Sequence, residues 1–244
     1  MLFIVGVVAG WIDAIAGGGG LITVPVLMGL GLSPADALGT NKLQAVFGSG
    51  GATRQYGRAG LFDYRDATSG VTYTAIGAFA GALAVQHLRA DVLRAIIPWL
   101  LIGLAFYFLF RPRLGESDAR PRLTTGMFNF VFGLVLGFYD GFIGPGTGSF
   151  WAMAYVWFLG FNLTRATAYT KLMNFTSNAV ALGVFASGGN VQWVTGLVMG
   201  AGQFLGAQLG ARLVVTRGVK FIRPIFILVA LAVSIRLLVI NAHH

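Results

Sequence analysis

The chain has 244 residues, 56% of them hydrophobic and only 10% charged, where a soluble domain carries about 25% charged residues. The net charge of +9 would suggest nucleic acid in a soluble protein, but here the basic residues sit in short loops between apolar runs, where cytoplasmic Lys and Arg are expected. The absence of cysteine excludes disulfide and thiol chemistry, and three histidines, two of them at the C-terminus, leave no His/Cys metal cluster.

In chain order, Leu2 to Ala16 is the first apolar run and ends at four glycines, Gly17 to Gly20. Leu21 to Leu32 follows. At 1.5 Å per residue it is too short for a bilayer core of about 30 Å. Ser33-Pro34 reads as an N-cap with proline at the first helical position. The helix it opens runs to about Gln55 and carries Asn41, Lys42, Gln44 and Ser49. A loop with Asp63 and Asp66 leads to a crossing over Ala67 to Val85, where Gly77 and Gly81 form a GxxxG pair that permits close helix approach. Val92 to Phe110 is the next crossing, and a basic linker follows over 111–122. Then the pattern recurs. Leu123 to Ile143 is a first run, Ser149 to Leu159 a short one, and Asn162 caps a helix carrying Lys171, Asn174, Ser177 and Asn178. Val191 to Val215 and Phe221 to Ile240 close the chain.

The duplication has a register. Asp140 lies 127 positions after Asp13, while Lys171, Gly206, Gly210 and Arg223 lie 129 after Lys42, Gly77, Gly81 and Arg94. One two-residue insertion accounts for all five matches, which marks an internal repeat. The expected fold is all-α and polytopic, with a first membrane repeat over 1–110 and a second over 123–244, together one membrane domain. Each repeat has a glycine-broken short-helix element plus three long membrane helices. An odd number of crossings per half, with the short runs re-entrant or all runs spanning, makes the halves inverted; counting each broken pair as one helix makes them parallel. With Lys42 and Lys171 set aside as intramembrane, inversion puts twelve basic loop residues on one side and Arg89, Arg94 and Arg236 on the other, whereas parallel halves split them 8 to 7. The charge rule therefore favours inversion, with the termini outside.

Lys42 and Lys171 are the sharpest residues. Each lies well inside its helix, where a lysine costs several kcal/mol unless it is paired or lines a wet cavity. A structural reading has each snorkel to the interface. The functional reading is two fixed positive charges facing a central cavity, with Asn41, Gln44, Asn174 and Asn178 at helical spacing as hydrogen-bond donors. The helix starts after Gly18, Gly19 and Gly20, and after Gly146, Thr147 and Gly148, offer unpaired N–H groups and positive dipole ends suited to an anion; Thr23 and Ser149 would add hydroxyl donors. Four consecutive glycines favour an open loop. Asp13 and Asp140 are proton-coupling candidates, with ion pairing or capping as the alternatives. Gln86, Gln203 and Gln208 read as bridges between helices.

Asp-x-Ile-Ala-Gly-Gly-Gly-Gly-Leu (Asp13 to Leu21), Thr-Asn-Lys-Leu-Gln (Thr40 to Gln44), Gly-Phe-Tyr-Asp-Gly-Phe-x-Gly-Pro (Gly137 to Pro145) and Lys-Leu-x-Asn-x-Thr-Ser-Asn (Lys171 to Asn178) closely resemble the TauE/SafE family of sulfite-exporter-like permeases, in its YfcA-like bacterial branch. The resemblance covers almost the whole chain and both repeats. It implies a multi-pass protein of the bacterial inner membrane that moves sulfite, sulfoacetate or a related small sulfur-containing anion, often outward. The expected function is thus a secondary transporter for a small anion, with an anion channel as the alternative. The expected partners are that anion and the lipid bilayer, with no nucleic acid, as a monomer or homodimer. No cofactor or metal is implied. No GxxxxGK[ST] motif occurs, so ATP is not the driver, and no nucleophile–base pair suggests an enzyme.

Overall fold

The computed structural model describes residues 1–93, 95–97, 99, 103 and 117–218. The crossing expected over 92–110 lies for the most part outside these residues, the one over 221–240 wholly so. Eight helices are described from end to end: α1 Leu2–Ala16, α2 Gly19–Gly29, α3 Pro34–Arg58, α4 Tyr64–Gln86, α5 Thr125–Phe142, α6 Thr147–Leu159, α7 Leu163–Ser187 and α8 Trp193–Arg217. No strand occurs among the described residues.

Local chemistry sets the starts of the long helices. The Ser33 hydroxyl accepts from the Asp36 N–H at 3.1 Å, with Pro34 at the first helical position. The Asn162 side chain accepts from the Arg165 N–H at 2.9 Å, and Asp63 from Arg65 at 2.7 Å. Each cap satisfies an N–H that the helix itself cannot.

The short helices double back. Leu27, near the end of α2, shares a core cluster with Leu2 and Val5 at the start of α1. Likewise Phe158, near the end of α6, packs with its ring centroid 4.9 Å from that of Phe132 in the first half of α5. Both glycine-broken elements are therefore hairpins whose tips lie inside the molecule.

The long helices interlock across the two halves. Side chains at Gly202, Gly206 and Gly210 of α8 would run into the backbone of Phe3, Val7 and Trp11 in that order, so α1 and α8 run the same way in close contact. Gly77 and Gly81 of α4 meet Leu134 and Phe138 of α5 in the same manner. In both pairs the small residues let the helix backbones touch.

Polarity runs opposite to that of a soluble protein. Lys42, Gln44, Asn129, Asp140, Lys171, Asn174 and Gln203 are buried, while Ile76, Phe79, Val135, Leu205 and Leu209 are exposed. Among the described residues only Tyr64–Gln86 is both long and apolar enough to cross a membrane by length and composition, with Leu2–Ala16 and Gly19–Gly29 as shorter apolar helices. The 25-residue helices α3 and α7 have the length, but their inward faces carry the buried polar side chains and lower their mean hydropathy.

The open loop expected at Gly17 to Gly20 is not found. Gly17 closes α1 in the left-handed region (φ 76°), Gly18 precedes α2, and Gly19 and Gly20 are already helical. Close packing is the reason: a Cβ would meet the Gly148 backbone from Gly17, the Asp13 side chain from Gly19 at 2.8 Å and Pro145 from Gly20 at 3.1 Å. The two hairpin tips thus abut.

Candidate functional site

Where the tips meet, each half carries the other's charge. Lys42 of α3 reaches Asp140 of α5, with its ammonium 2.7 Å from Oδ1 and also donating to the Asp140 carbonyl. Lys171 of α7 reaches Asp13 of α1 at 2.9 Å. Both lysines are 0% exposed. The second carboxylate oxygen is also engaged in each pair: Asp140 Oδ2 accepts from the Ser177 hydroxyl, and Asp13 Oδ1 from the Gly19 N–H at 3.3 Å. Snorkelling is therefore not how these lysines are accommodated, and Asp13 pairs and caps at once. A buried charge left without a partner costs several kcal/mol, and these contacts remove that penalty.

The tips themselves are held by hydroxyls. Tyr56 donates to the Ala14 carbonyl at 3.0 Å, Ser149 to Ala16, Thr147 to Gly144 at 2.5 Å and Tyr139 to Pro145 at 2.8 Å. These satisfy carbonyls that the interrupted helices leave free. The donors anticipated at Ser149 and Thr147 are thus bonded to carbonyls of the tips, and Thr23 is committed to Asn41 Oδ1 at 2.6 Å.

Between the ion pairs lies a cavity of about 30 Å³, room for a water or two. Asp13, Asp140, Asn41, Asn174 and Asn178 line it, together with Gly20, Gly146, Thr147 and Gly148. Of the other residues anticipated, Gly18 and Gly19 lie outside the lining, and Gln44 stands behind Asn41, donating to its Oδ1 at 3.0 Å. Neither Lys42 nor Lys171 lines the cavity; their carboxylate partners do. One polar lining residue was not anticipated. Gln203 of α8, read as a helix bridge, faces the cavity instead, whereas Gln86 does bridge, from α4 to the Val184 carbonyl of α7 at 2.7 Å. The signal available in the sequence was an amide set among small residues, Gly200-Ala201-Gly202-Gln203.

The sequence profile of the family described as "Sulfite exporter TauE/SafE" matches residues 2–237. The chain belongs to this family. It is 50% identical over 238 residues to the "Probable membrane transporter protein YfcA" of Escherichia coli (strain K12), covering 98% of this chain and 88% of the relative. It is 46% identical over 242 residues to the "Probable membrane transporter protein ORF9" of a Sinorhizobium species, covering 99% and 93%. A "Probable membrane transporter protein" of Haemophilus influenzae is 44% identical over 237 residues, covering 97% and 93%. No solved structure matches the chain. TauE/SafE membership makes this a membrane protein of a transporter family.

In this TauE/SafE chain the two ends of the α3–α7 pair differ. At one end, where α3 and α8 finish and α4, α5 and α7 begin, a vestibule of about 850 Å³ is lined by Asp63, Asp66, Asn162, Tyr169 and Arg165. The Arg165 guanidinium lies 4.0 Å over the Phe161 ring. This end also carries Arg54, Arg58, Arg65, Arg120, Arg122, Arg212 and Arg217. At the other end the loops touch: Asn190 Nδ2 donates to Asp36 at 3.3 Å, the Gln192 N–H to Thr40 at 3.0 Å, and a Cβ at Gly39 would strike the Asn190 carbonyl.

Proposed function

We propose that the protein is a secondary transporter that moves a small anion, with sulfite or an organosulfonate as substrate, out of the cell across the bacterial inner membrane. The observation that carries this is the crossed pair of buried lysines and carboxylates flanking a polar cavity at two abutting hairpin tips. Two duplicated, inverted halves suit it. The register of 127 and 129 residues supports duplication. Inversion is supported by helix directions: α1 runs with α8, α4 runs with α5, and α3 opposes α7, since Phe62 after α3 packs on Tyr169 near the start of α7. The vestibule opens on the Arg-rich end, which the positive-inside rule makes cytoplasmic, as an exporter requires for loading.

Both ammonium groups are engaged by carboxylates, so an anion gains a lysine only as a carboxylate gives way. A proton taken up with the anion lowers the net charge the site must accept, and transport then accelerates as the loading side is acidified. The test is a thermal-shift panel of the purified protein with sulfite, sulfate, thiosulfate, sulfoacetate, acetate and phosphate, beside Lys42→Ala and Lys171→Ala. A ligand of the folded state raises the midpoint with concentration. We expect a sulfur oxyanion to do so in the parent and in neither variant. Shifts indifferent to both lysines would end this reading. Counterflow in proteoliposomes separates a carrier from a channel.

A further inference from the structure

The cavity between the ion pairs has the wrong lining for a fully ionised oxyanion. The charged groups that face it are two carboxylates, Asp13 and Asp140, beside amides, Thr147 and the glycines of the hairpin tips, while the ammonium groups lie behind the carboxylates. Each lysine is matched by one aspartate, so the core of the site is neutral overall. A dianion placed there would meet carboxylate oxygens at short range in a medium where like charges repel strongly.

Two of the lining amides are unpartnered. Gln203 is 2% exposed and its Oε1 has no hydrogen-bond partner; Asn174 is 5% exposed and its Oδ1 has none either. A buried amide oxygen without a donor is costly. Gln203 is nevertheless held there by its surroundings. A Cβ at Gly48 would meet its Cγ at 2.6 Å and its Nε2 at 2.9 Å, and a Cβ at Gly10 would strike its backbone carbonyl. Two helices thus give up side chains to make room for this residue. Nor is it a product of the repeat. The positions 129 earlier are Thr74, whose hydroxyl points to Met173 Sδ at 3.4 Å, and Ala45, which has no polar side chain. The second half alone supplies both amides.

We propose that the site takes its substrate as a small, singly protonated oxyanion, and that Gln203, with Asn174, recognises the proton the ligand carries. An amide presents an acceptor and a donor together, which fits a group bearing both a hydrogen and a bare oxygen. A single remaining negative charge is tolerated by a neutral site and is drawn to a lysine as its carboxylate partner turns away. The cavity holds a water or two as it stands. The smaller the ligand, the less the carboxylates must turn away, which favours a compact inorganic oxyanion such as hydrogen sulfite over a longer organic sulfonate. A site built to bond a ligand's hydrogen rejects an analogue that lacks it. This inference rests on the small-anion reading above and adds to it the protonation state of the substrate and the residue that reads it.

Chlorate is the decisive probe, a pyramidal monoanion of the same shape that carries no proton. Binding to the purified full-length protein is measured for sulfite and for chlorate across the second ionisation of sulfurous acid. We expect sulfite below that ionisation to bind at least tenfold more tightly than chlorate. Above it, the affinity for total sulfite should fall about tenfold per pH unit, while chlorate stays weak and level. Gln203→Met should lower sulfite binding to the chlorate level and leave chlorate unchanged. Chlorate binding as tightly as hydrogen sulfite, or the two anions sharing one pH dependence, would overturn the inference and place the proton on the protein while leaving the anion transporter intact. The parent protein alone decides this, so a variant that fails to fold does not block the test. A loss of both anions in well-folded Gln203→Met would also overturn the role of that residue. No binding of any anion would instead remove the transporter reading beneath it.

Discussion

Lys42 and Asp140 are 98 positions apart, Lys171 and Asp13 158, and both lysines are fully buried, so either one left without its aspartate is an unpaired charge in the interior. Removing one member is therefore worse than removing both. Lys42→Ala should cost about 3–5 kcal/mol, and the double replacement Lys42→Met with Asp140→Leu should recover most of it. Thermal unfolding in detergent reads both, and a double variant that loses the sum of the two single losses would show that the pair is not coupled. The lysines themselves were legible in the sequence, because two of them recur at matched depth in apolar helices. Pairing with the aspartates was open as one alternative, but which aspartate meets which lysine was not legible, because a side chain's position in a helix does not say which helix will face it. Gln203 was missed for the same reason. Its neighbours in space are Gly10 and Gly48, residues whose significance appears only once α1, α3 and α8 are packed together.

At the scale of elements, α3 and α7 announced their own starts. Ser33 and Asn162 cap as their sequences imply, because capping needs only residues within one turn, whereas Asp63, read as a loop residue, caps a helix that begins at Tyr64 and not at Ala67. The paired glycines of α4 and α8 were also readable, since fourfold spacing puts small residues on one helix face. A leucine at Gly206 would drive into the Val7 carbonyl, forcing α1 from α8 at a cost of about 1–3 kcal/mol. Gly183 of α7 has nothing within 4 Å of where a Cβ would stand. The expected result is a clear drop in the unfolding midpoint for Gly206→Leu and little change for Gly183→Leu. The glycine breaks were harder to read. Four glycines in a row signal that backbone must pass close to something, and sequence alone does not distinguish exposure to water from contact with Gly148 and Pro145. That contact lies across the two halves, so no local rule reports it.

At the scale of the whole molecule, the exposed apolar surface and the vestibule at the Arg-rich end make a labelling prediction. The chain has no native cysteine, so introduced thiols report single positions. A cysteine at Thr164, in the vestibule, should react with a membrane-impermeant maleimide from the Arg-rich side, and one at exposed Leu205 should stay protected in bilayers and react in neither orientation. Reaction of Thr164→Cys from the opposite side would reverse the topology. The exchange of charges between halves has a further consequence, for biogenesis. Asp13 and Lys42 leave the ribosome long before Asp140 and Lys171 exist, so the newly inserted first half holds an acid and a base whose native partners have yet to be synthesised. Such a half is an incomplete membrane protein and a substrate for quality-control proteolysis until the second half docks. A chain divided within residues 111–122 should accordingly accumulate only when both fragments are made in the same cell, and each fragment expressed alone should be degraded.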